Sequence, residues 1–430
     1  MAQGKGTQQG KQSLVRRFFA TLGPGVITGA ADDDPSGIAT YSIAGAQFGT
    51  LFLWTALLTW PLMAAVQMTC ARIGMVTGKG LAGVLRDRFP RPLLIVACLA
   101  LLAANTLNIA ADLAGMADSA AMLTGLNSHW FVVVFGAIIA AATLWLRYQQ
   151  FASILKWLSL SLGAYVVTAL LLHPDWSAVL RDTLSVSLPK TSEGWSTLVA
   201  ILGTTISPYL FFWQASEEVD EVQERDEAKP LIRAHEQAPA ELSRIRLDTY
   251  IGMAFSNIVA VFIMIATAVT LHAHHVTNIQ TSSQAALALK PIAGDFAFLV
   301  FALGIIGCGL LAVPVLAGSA AYGMGEAFGW HVGLGRKFRR AKAFYAAIIA
   351  ATLVGTGLNF VHIDPIKALF WSAVINGVAA VPIMVMIMLV ASRRSAMGDF
   401  KVHAGLKAVG WLATAVMAAA AVGMFATMGA

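Results

Sequence analysis

Long apolar stretches recur along the whole chain, separated by shorter polar segments. Each stretch is close to the roughly 20 residues, or more, that a helix needs to cross a hydrocarbon core about 30 Å thick. The pattern predicts eleven membrane-spanning helices, with approximate limits at residues 18–48, 51–77, 92–122, 129–147, 151–173, 195–216, 248–271, 295–326, 342–361, 366–391 and 405–428.

The first apolar stretch is interrupted near its middle by three aspartates, a proline and a glycine, within the sequence AADDDPSG at 30–37. A proline inside a helix removes a backbone hydrogen bond and clashes with the preceding turn, so we expect the first helix to break here. Charge inside a membrane span is costly and indicates a functional site. The alternative is an interfacial loop with its aspartates in water, which the apolar residues on both sides disfavour.

A second interruption lies in the sixth stretch, at residues 203–209 with the sequence GTTISPY. The two broken helices are five spans apart, and an odd offset inverts orientation in the membrane. Spans 1–5 and 6–10 are therefore predicted to be inverted repeats, with span 11 added. The predicted organisation is a cytoplasmic tail at 1–17, a first repeat at 18–173, an outer loop at 174–194, a second repeat at 195–391 that includes a cytoplasmic loop at 217–247, and a cytoplasmic loop with the last helix at 392–430.

Paired broken helices predict a cation site. Unwound backbone exposes carbonyl oxygens to a cation and needs a polar cavity at that depth. Asp34, next to the break, can supply a formal negative charge. Asp32 and Asp33 point elsewhere, because consecutive helical residues are about 100° apart. Three roles stay open for those two: lining the approach, pairing with a basic residue, or being protonated.

Composition agrees with a polytopic helical membrane protein, since 57% of the residues are hydrophobic and only 12% are charged. All 29 Lys and Arg residues except Arg181, Lys190, Lys290 and Lys367 fall on one side of the predicted topology. The positive-inside rule then places the N-terminus in the cytoplasm, in the inner membrane if the source is bacterial. This bias explains the net charge of +6, so the basic residues do not indicate binding to a nucleic acid. The first span is expected to be retained rather than cleaved as a signal peptide.

The chain resembles the NRAMP family of divalent metal transporters from about Gly23 to Phe400. Six motifs carry the resemblance: GPG at 23–25, DPSG at 34–37 where the family usually has DPGN, Gln67 followed by RIGMVTGK at 72–79, Asp112, Ser207-Pro208, and MGDF at 397–400 after the tenth span. The resemblance implies a LeuT-type fold with a metal bound between the broken helices and delivered to the cytoplasm. The metal is then the transported substrate, and no cofactor is expected.

The chain departs from the family pattern at the positions expected to bind metal. Gly37 stands where the family has a coordinating asparagine, and Ser207 and Tyr209 replace its methionine and first histidine. Gln214 replaces a second histidine, and Gly115 replaces a glutamate. Loss of the thioether favours harder ions, because carboxylate, carbonyl, hydroxyl and water suit Mg²⁺ and Mn²⁺. The smaller side chains also leave room for an ion that keeps several waters, as Mg²⁺ does.

This pattern resembles the magnesium-transporting, NRAMP-related branch and predicts import of Mg²⁺ or Mn²⁺ across the lipid bilayer by alternating access. The candidate metal-binding residues are Asp34, Gly37, Thr204 and Ser207. The candidates for a secondary polar pathway are Asp32, Asp33, Asp112, Tyr209, Gln214 and Asn376.

Asn105, Asn108 and Asp112 share one face of the third span, because they are spaced by three and then four residues. That stripe is either a hydrophilic route beside the site or a set of interhelical hydrogen bonds that pack the bundle. Asn376 in the tenth span has the same two readings, occlusion of the ion or structural hydrogen bonding. The sequence leaves both questions open.

Other functions are weighed against the same residues. The absence of histidine in the core of either broken helix favours uncoupled transport, with proton symport through Asp34 and Asp112 as the alternative. A LeuT-type transporter of a cationic or zwitterionic organic molecule is a second alternative. An intramembrane enzyme is disfavoured because no catalytic signature accompanies the aspartates. An ATP-driven pump is disfavoured because the sequence contains no phosphate-binding P-loop.

Overall fold

A computed structural model describes residues 24–145, 163–225, 228–279, 282–290, 294, 297–361 and 364–428. Across these residues the regular structure is entirely helical. The helices longer than three residues are α1 (Pro24–Asp32), α2 (Pro35–Phe48), α3 (Trp54–Thr77), α4 (Leu81–Arg86), α5 (Arg91–Thr124), α6 (Ser128–Trp145), α7 (Gly163–Leu171), α8 (Trp176–Leu184), α9 (Ser192–Thr205), α10 (Pro208–Glu224), α11 (Ala238–Thr270), α12 (Ser282–Ala286), α13 (Ala297–Phe328), α14 (Lys342–Leu358), α15 (Pro365–Ala391), α16 (Arg394–Met397) and α17 (Ala404–Met428).

The prediction of an all-helical membrane protein is confirmed. Within the described parts of the chain, eight helices or helix pairs are long and apolar enough to cross a membrane, and the shorter α14 is also apolar. Each of the eleven predicted spans overlaps at least one described helix. The predicted tail at 1–17, the start of the first span and most of the fifth span lie outside the described residues.

The first span is broken, as predicted, between α1 and α2. The interruption falls at Asp33 and Asp34, directly before Pro35. Pro35 occupies the first turn of α2, where its missing N–H removes no helical hydrogen bond. Asp34 has an extended backbone and is the N-cap of α2, accepting a hydrogen bond from the backbone N–H of Gly37. The aspartate at the break therefore starts the second half of the same span.

The sixth span is broken between α9 and α10, at Ile206 and Ser207, and Pro208 again opens the following helix. The helix that forms the second half of this span, α10, continues to Glu224, and α11 begins at Ala238. Helices therefore occupy much of the segment at 217–247 that is predicted to connect the sixth and seventh spans. Glu218, in this segment, is fully buried and forms an ion pair with Arg244 at 2.7 Å.

Glycines let the broken helices lie against their neighbours at very short distances. A Cβ atom on Gly29 of α1 would stand 2.3 Å from the carbonyl of Gly252 on α11. A Cβ atom on Gly203 of α9 would stand 2.1 Å from the carbonyl oxygen of Ala373 on α15. Both distances are far below contact with a real side chain. The two breaks are therefore held in a densely packed interior by α5, α11 and α15.

Candidate metal site

Asp34 is held in a fixed orientation by three neutral donors. Its side chain is 1% exposed. The Oδ1 atom accepts hydrogen bonds from the Ser36 hydroxyl and from the Gly37 backbone N–H, each at 2.7 Å. The Oδ2 atom accepts one from the Asn108 amide at 3.0 Å. The alternative of an interfacial loop with water-exposed aspartates is therefore wrong, because this carboxylate is buried against α5.

The polar stripe on α5 contacts two different parts of the bundle. Asn108 contacts Asp34 directly. Asn105, one turn earlier, donates to the carbonyl of Leu316 and to the hydroxyl of Ser319 on α13, so it packs the bundle. Asp112 is fully buried close to the Asp34 carboxylate and the backbone N–H of Ser36. Neither of its carboxylate oxygens makes a hydrogen bond of normal geometry with the described residues.

Gly37 faces the centre of the site. A Cβ atom built on it would stand 2.9 Å from the Thr204 hydroxyl, 3.4 Å from Asp34 Oδ1 and 3.5 Å from the backbone oxygen of Asp32. The Thr204 hydroxyl is buried and makes no hydrogen bond of normal geometry within the described structure, although the Tyr41 hydroxyl lies close to it. The missing side chain at Gly37 thus points at three oxygen atoms contributed by both broken helices.

Ser207 and Tyr209 flank the second break. The Ser207 hydroxyl donates to the backbone oxygens of Gly203 and Thr204 at 2.7 and 2.8 Å, so it satisfies carbonyls in the last turn of α9. Its oxygen retains a lone pair that can accept another contact. The Tyr209 hydroxyl donates to the Ala31 backbone oxygen at 3.1 Å, which joins α10 to the last turn of α1.

Asp32 and Asp33 lie apart from Asp34, against α11. The Ser256 hydroxyl is 2.5 Å from Asp32 Oδ2 and 3.1 Å from Asp33 Oδ1. Both carboxylates are buried, and no ion pair with a basic side chain is found for either among the described residues. Sequence reasoning missed Ser256. Its only signal is a hydroxyl in an apolar span, which is common in membrane helices.

Gln214 and Asn376 are placed differently from the main site. Gln214 lies two turns beyond Ser207 on α10, about 10 Å along the helix. It donates to Glu218 at 3.1 Å and so belongs to the ionic cluster around Arg244. Asn376 is buried on α15 beside Gly377, and the backbone of Gly377 packs against Gly203. The side-chain oxygen of Asn376 makes no hydrogen bond with the residues that the structure describes.

The potential ligand atoms at the candidate site are oxygens. Among the described residues there is no cluster of three or more His, Cys, Asp or Glu side chains suited to a metal ion. The site instead combines two carboxylates, those of Asp34 and Asp112, with hydroxyl, amide and backbone oxygens. Neither carboxylate has a basic partner in the described parts of the chain. In their ionised forms, two carboxylates buried in this way would attract a cation strongly, because burial removes the water that would otherwise stabilise them.

Curated relatives match most of the chain. The divalent metal cation transporter MntH of Deinococcus radiodurans is 28% identical over 422 residues, which cover 94% of this chain and 89% of that protein. A protein of the same name from Yersinia pestis is 28% identical over 328 residues, covering 73% of this chain and 75% of that protein.

Solved structures share the fold. The manganese transporter of Eremococcus coleocola, in complex with an aromatic bis-isothiourea substituted compound, superposes with a TM-score of 0.74 at 18% identity, covering 96% of this chain and 87% of that one. Mhp1, a nucleobase-cation-symport-1 family transporter, superposes with a TM-score of 0.56 at 17% identity, covering 95% and 92%. The predicted LeuT-type fold is thereby confirmed. The family model described as natural resistance-associated macrophage protein-like matches residues 25–427, and the chain therefore belongs to the Nramp family of membrane transporters.

Proposed function

We propose that this protein imports a hard divalent cation, Mg²⁺ or Mn²⁺, through a site formed by Asp34, Thr204 and Ser207, where Gly37 brings the two broken helices close together. The observation that carries the proposal is the position of Gly37. A Cβ atom there would stand within 3.5 Å of oxygens from Asp34, Thr204 and Asp32. A set of carboxylate, hydroxyl and backbone oxygens without sulfur or nitrogen ligands suits a hard divalent cation.

The residues divide into ligands and supports. Asp34 supplies charge, and the Thr204 hydroxyl supplies a neutral oxygen without a settled hydrogen bond among the described residues. Asp112 adds a second negative charge near Asp34. Asn108 and Ser36 orient the Asp34 carboxylate. The ligands come from both broken helices, so a displacement of α9 and α10 relative to α1 and α2 changes the coordination. Alternating access through these helices fits that arrangement.

Transport without obligatory proton coupling fits the same residues. None of α1, α2, α9 and α10 contains a histidine, the side chain that titrates most readily near neutral pH. The named relatives support a divalent metal as substrate, since the two curated proteins are called divalent metal cation transporters. A manganese transporter is among the solved structures that share the fold.

The test is uptake by purified protein in liposomes, with Mg²⁺, Mn²⁺ and Ca²⁺ compared and the internal pH followed. We expect uptake of Mg²⁺ and Mn²⁺ without acidification. The Asp34→Asn variant removes the charge but keeps an oxygen that caps α2. It is expected to abolish uptake, whereas Asp399→Asn, at an exposed surface ion pair, is the matched control and should transport normally.

Intact uptake by Asp34→Asn would refute the site assignment. A proton-coupled Mn²⁺ symporter is the second candidate, favoured by the proximity of the Asp112 and Asp34 carboxylates. Acidification of the liposome interior in step with metal entry would establish that candidate in place of uncoupled transport.

A further inference from the structure

The segment predicted as an outer loop at 174–194 contains a short helix, α8, whose surface has three distinct sectors. Asp175 caps its N-terminus by accepting from the backbone N–H groups of Ser177 and Ala178. The helix lies between α7, in the predicted fifth span, and α9, the first half of the broken sixth span. It is about 13 Å long at 1.5 Å per residue.

One sector faces the protein. Val179 is buried, and the neighbouring Asp182 accepts a hydrogen bond from the Thr50 hydroxyl at 2.5 Å. Just after the helix, the backbone oxygen of Ser187 accepts from the indole N–H of Trp54 at 3.1 Å. These contacts attach α8 to the connection between α2 and α3.

A second sector is apolar and exposed. Trp176, Leu180 and Leu184 follow one another at four-residue intervals and are 43%, 60% and 66% exposed. At about 100° per residue they fall within an arc of roughly 80°. The exposed side chains of Val186 and Leu188 extend this apolar surface beyond the helix.

The third sector is polar. Ser177 and Arg181 are exposed and lie next to the apolar arc, on the side away from the protein-facing sector. The order around the helix is therefore protein, apolar surface, polar surface. A helix in the plane of a membrane interface has this arrangement, because one side contacts acyl chains and the adjoining side contacts headgroups and water.

We infer that α8 lies in the outer-leaflet interface, with Trp176, Leu180 and Leu184 inserted among lipid acyl chains. Continuity with the membrane-facing surface supports lipid as the occupant, since Leu170 and Leu171 at the end of α7 are also exposed apolar side chains. An indole at the edge of the arc is typical of membrane interfaces. Through Asp182 and Ser187, the segment that contains α8 is attached to Thr50, just after α2, and to Trp54, the first residue of α3.

Environment-sensitive labels at single cysteines test the inference. Leu180→Cys and Leu184→Cys report on the apolar arc, and Ser177→Cys and Arg181→Cys are matched controls one sector away. The native Cys70, Cys98 and Cys308 are buried, and unsubstituted protein measures any background labelling. Each labelled full-length protein is reconstituted in vesicles of phosphatidylethanolamine and phosphatidylglycerol that contain phosphatidylcholine spin-labelled near the top of its acyl chain.

We expect the lipid spin label to quench fluorophores at positions 180 and 184 at least about twofold more than those at 177 and 181, because an interfacial helix inserts its apolar side about 5–10 Å into the headgroup boundary. Aqueous iodide should give the reverse order. Equal quenching by iodide at all four positions would overturn the inference. So would shielding at 180 and 184 that grows with protein density in the vesicle, since a second copy would then cover this face.

Discussion

The Asn108 amide donates a hydrogen bond to Asp34 Oδ2 across 3.0 Å, which joins the third span to the break in the first. Asn105, on the same face one turn earlier, bonds to α13 instead. Two asparagines that the sequence treats alike therefore have separable roles, one at the site and one in packing.

Replacing each asparagine by leucine should separate those roles. We expect Asn108→Leu to raise the KM for Mg²⁺ uptake at least about tenfold, because a hydrogen bond to a charged group is worth about 1.5–3 kcal/mol. Asn105→Leu should lower the melting temperature and leave KM unchanged. Liposome uptake and thermal denaturation in detergent measure both quantities, and a rise in KM for both variants would contradict the assignment.

Replacing Ser207 by methionine should alter selectivity. A thioether at the break adds a soft ligand, and soft ligands favour soft metals. We expect Cd²⁺ to inhibit Mn²⁺ uptake by Ser207→Met at about tenfold lower concentration than in the unsubstituted protein. Ser207→Leu has a similar size without sulfur and is the control. Equal Cd²⁺ inhibition in both variants would show that residue 207 does not reach the ion.

Gly203→Ala should destabilise the protein. Its Cβ atom would stand 2.1 Å from a backbone oxygen and 2.4 Å from a backbone nitrogen of α15, and overpacking of this kind costs about 1–3 kcal/mol. Gly357→Ala is the matched control, since no atom of the described residues lies within 4 Å of its Cβ position. It should be neutral or stabilising by up to about 1 kcal/mol. Melting temperatures that fall equally in both would refute the close contact at Gly203.

The ionic cluster at the end of α10 is expected to stabilise the folded protein. Arg244 contacts Glu218, Glu221 and Glu241 at 2.7, 3.2 and 2.8 Å. Arg244→Gln leaves Glu218 buried without its partner, which typically costs about 3–5 kcal/mol. We expect a large fall in melting temperature that Glu218→Gln partly restores in the double variant. Additive losses in the double-mutant cycle would show that the two residues do not interact.

The orientation of the chain stays a prediction from its basic residues. Arg339 and Arg181 are both exposed and lie on opposite sides of the predicted topology. In intact cells, a membrane-impermeant thiol reagent should label Arg181→Cys and leave Arg339→Cys unlabelled until the cells are opened. Labelling of Arg339→Cys alone in intact cells would place the N-terminus outside.

The sequence was sufficient to predict the helices and the two breaks, because the length of an apolar stretch and the effect of a proline on a helix are properties of the local sequence. It could not supply the partners of the polar residues. Ser256 is more than 220 residues from Asp32 in the chain, and its contact depends on how closely α1 approaches α11. The sequence also does not show how the acidic run at the end of α10 is balanced. Two of its glutamates, Glu218 and Glu221, pair with Arg244 from the next helix.

The capping role of Asp34 limits how this residue, as the proposed metal ligand, could release an ion. Its Oδ1 atom already accepts from Ser36 and Gly37 at the start of α2. Rotating the carboxylate to follow a departing ion would uncap that helix, at a cost of about 1 kcal/mol. In the proposed site, the Asp34 carboxylate would therefore stay in place during transport. Release of the ion would then require the residues of α9 and α10 to move away from Asp34.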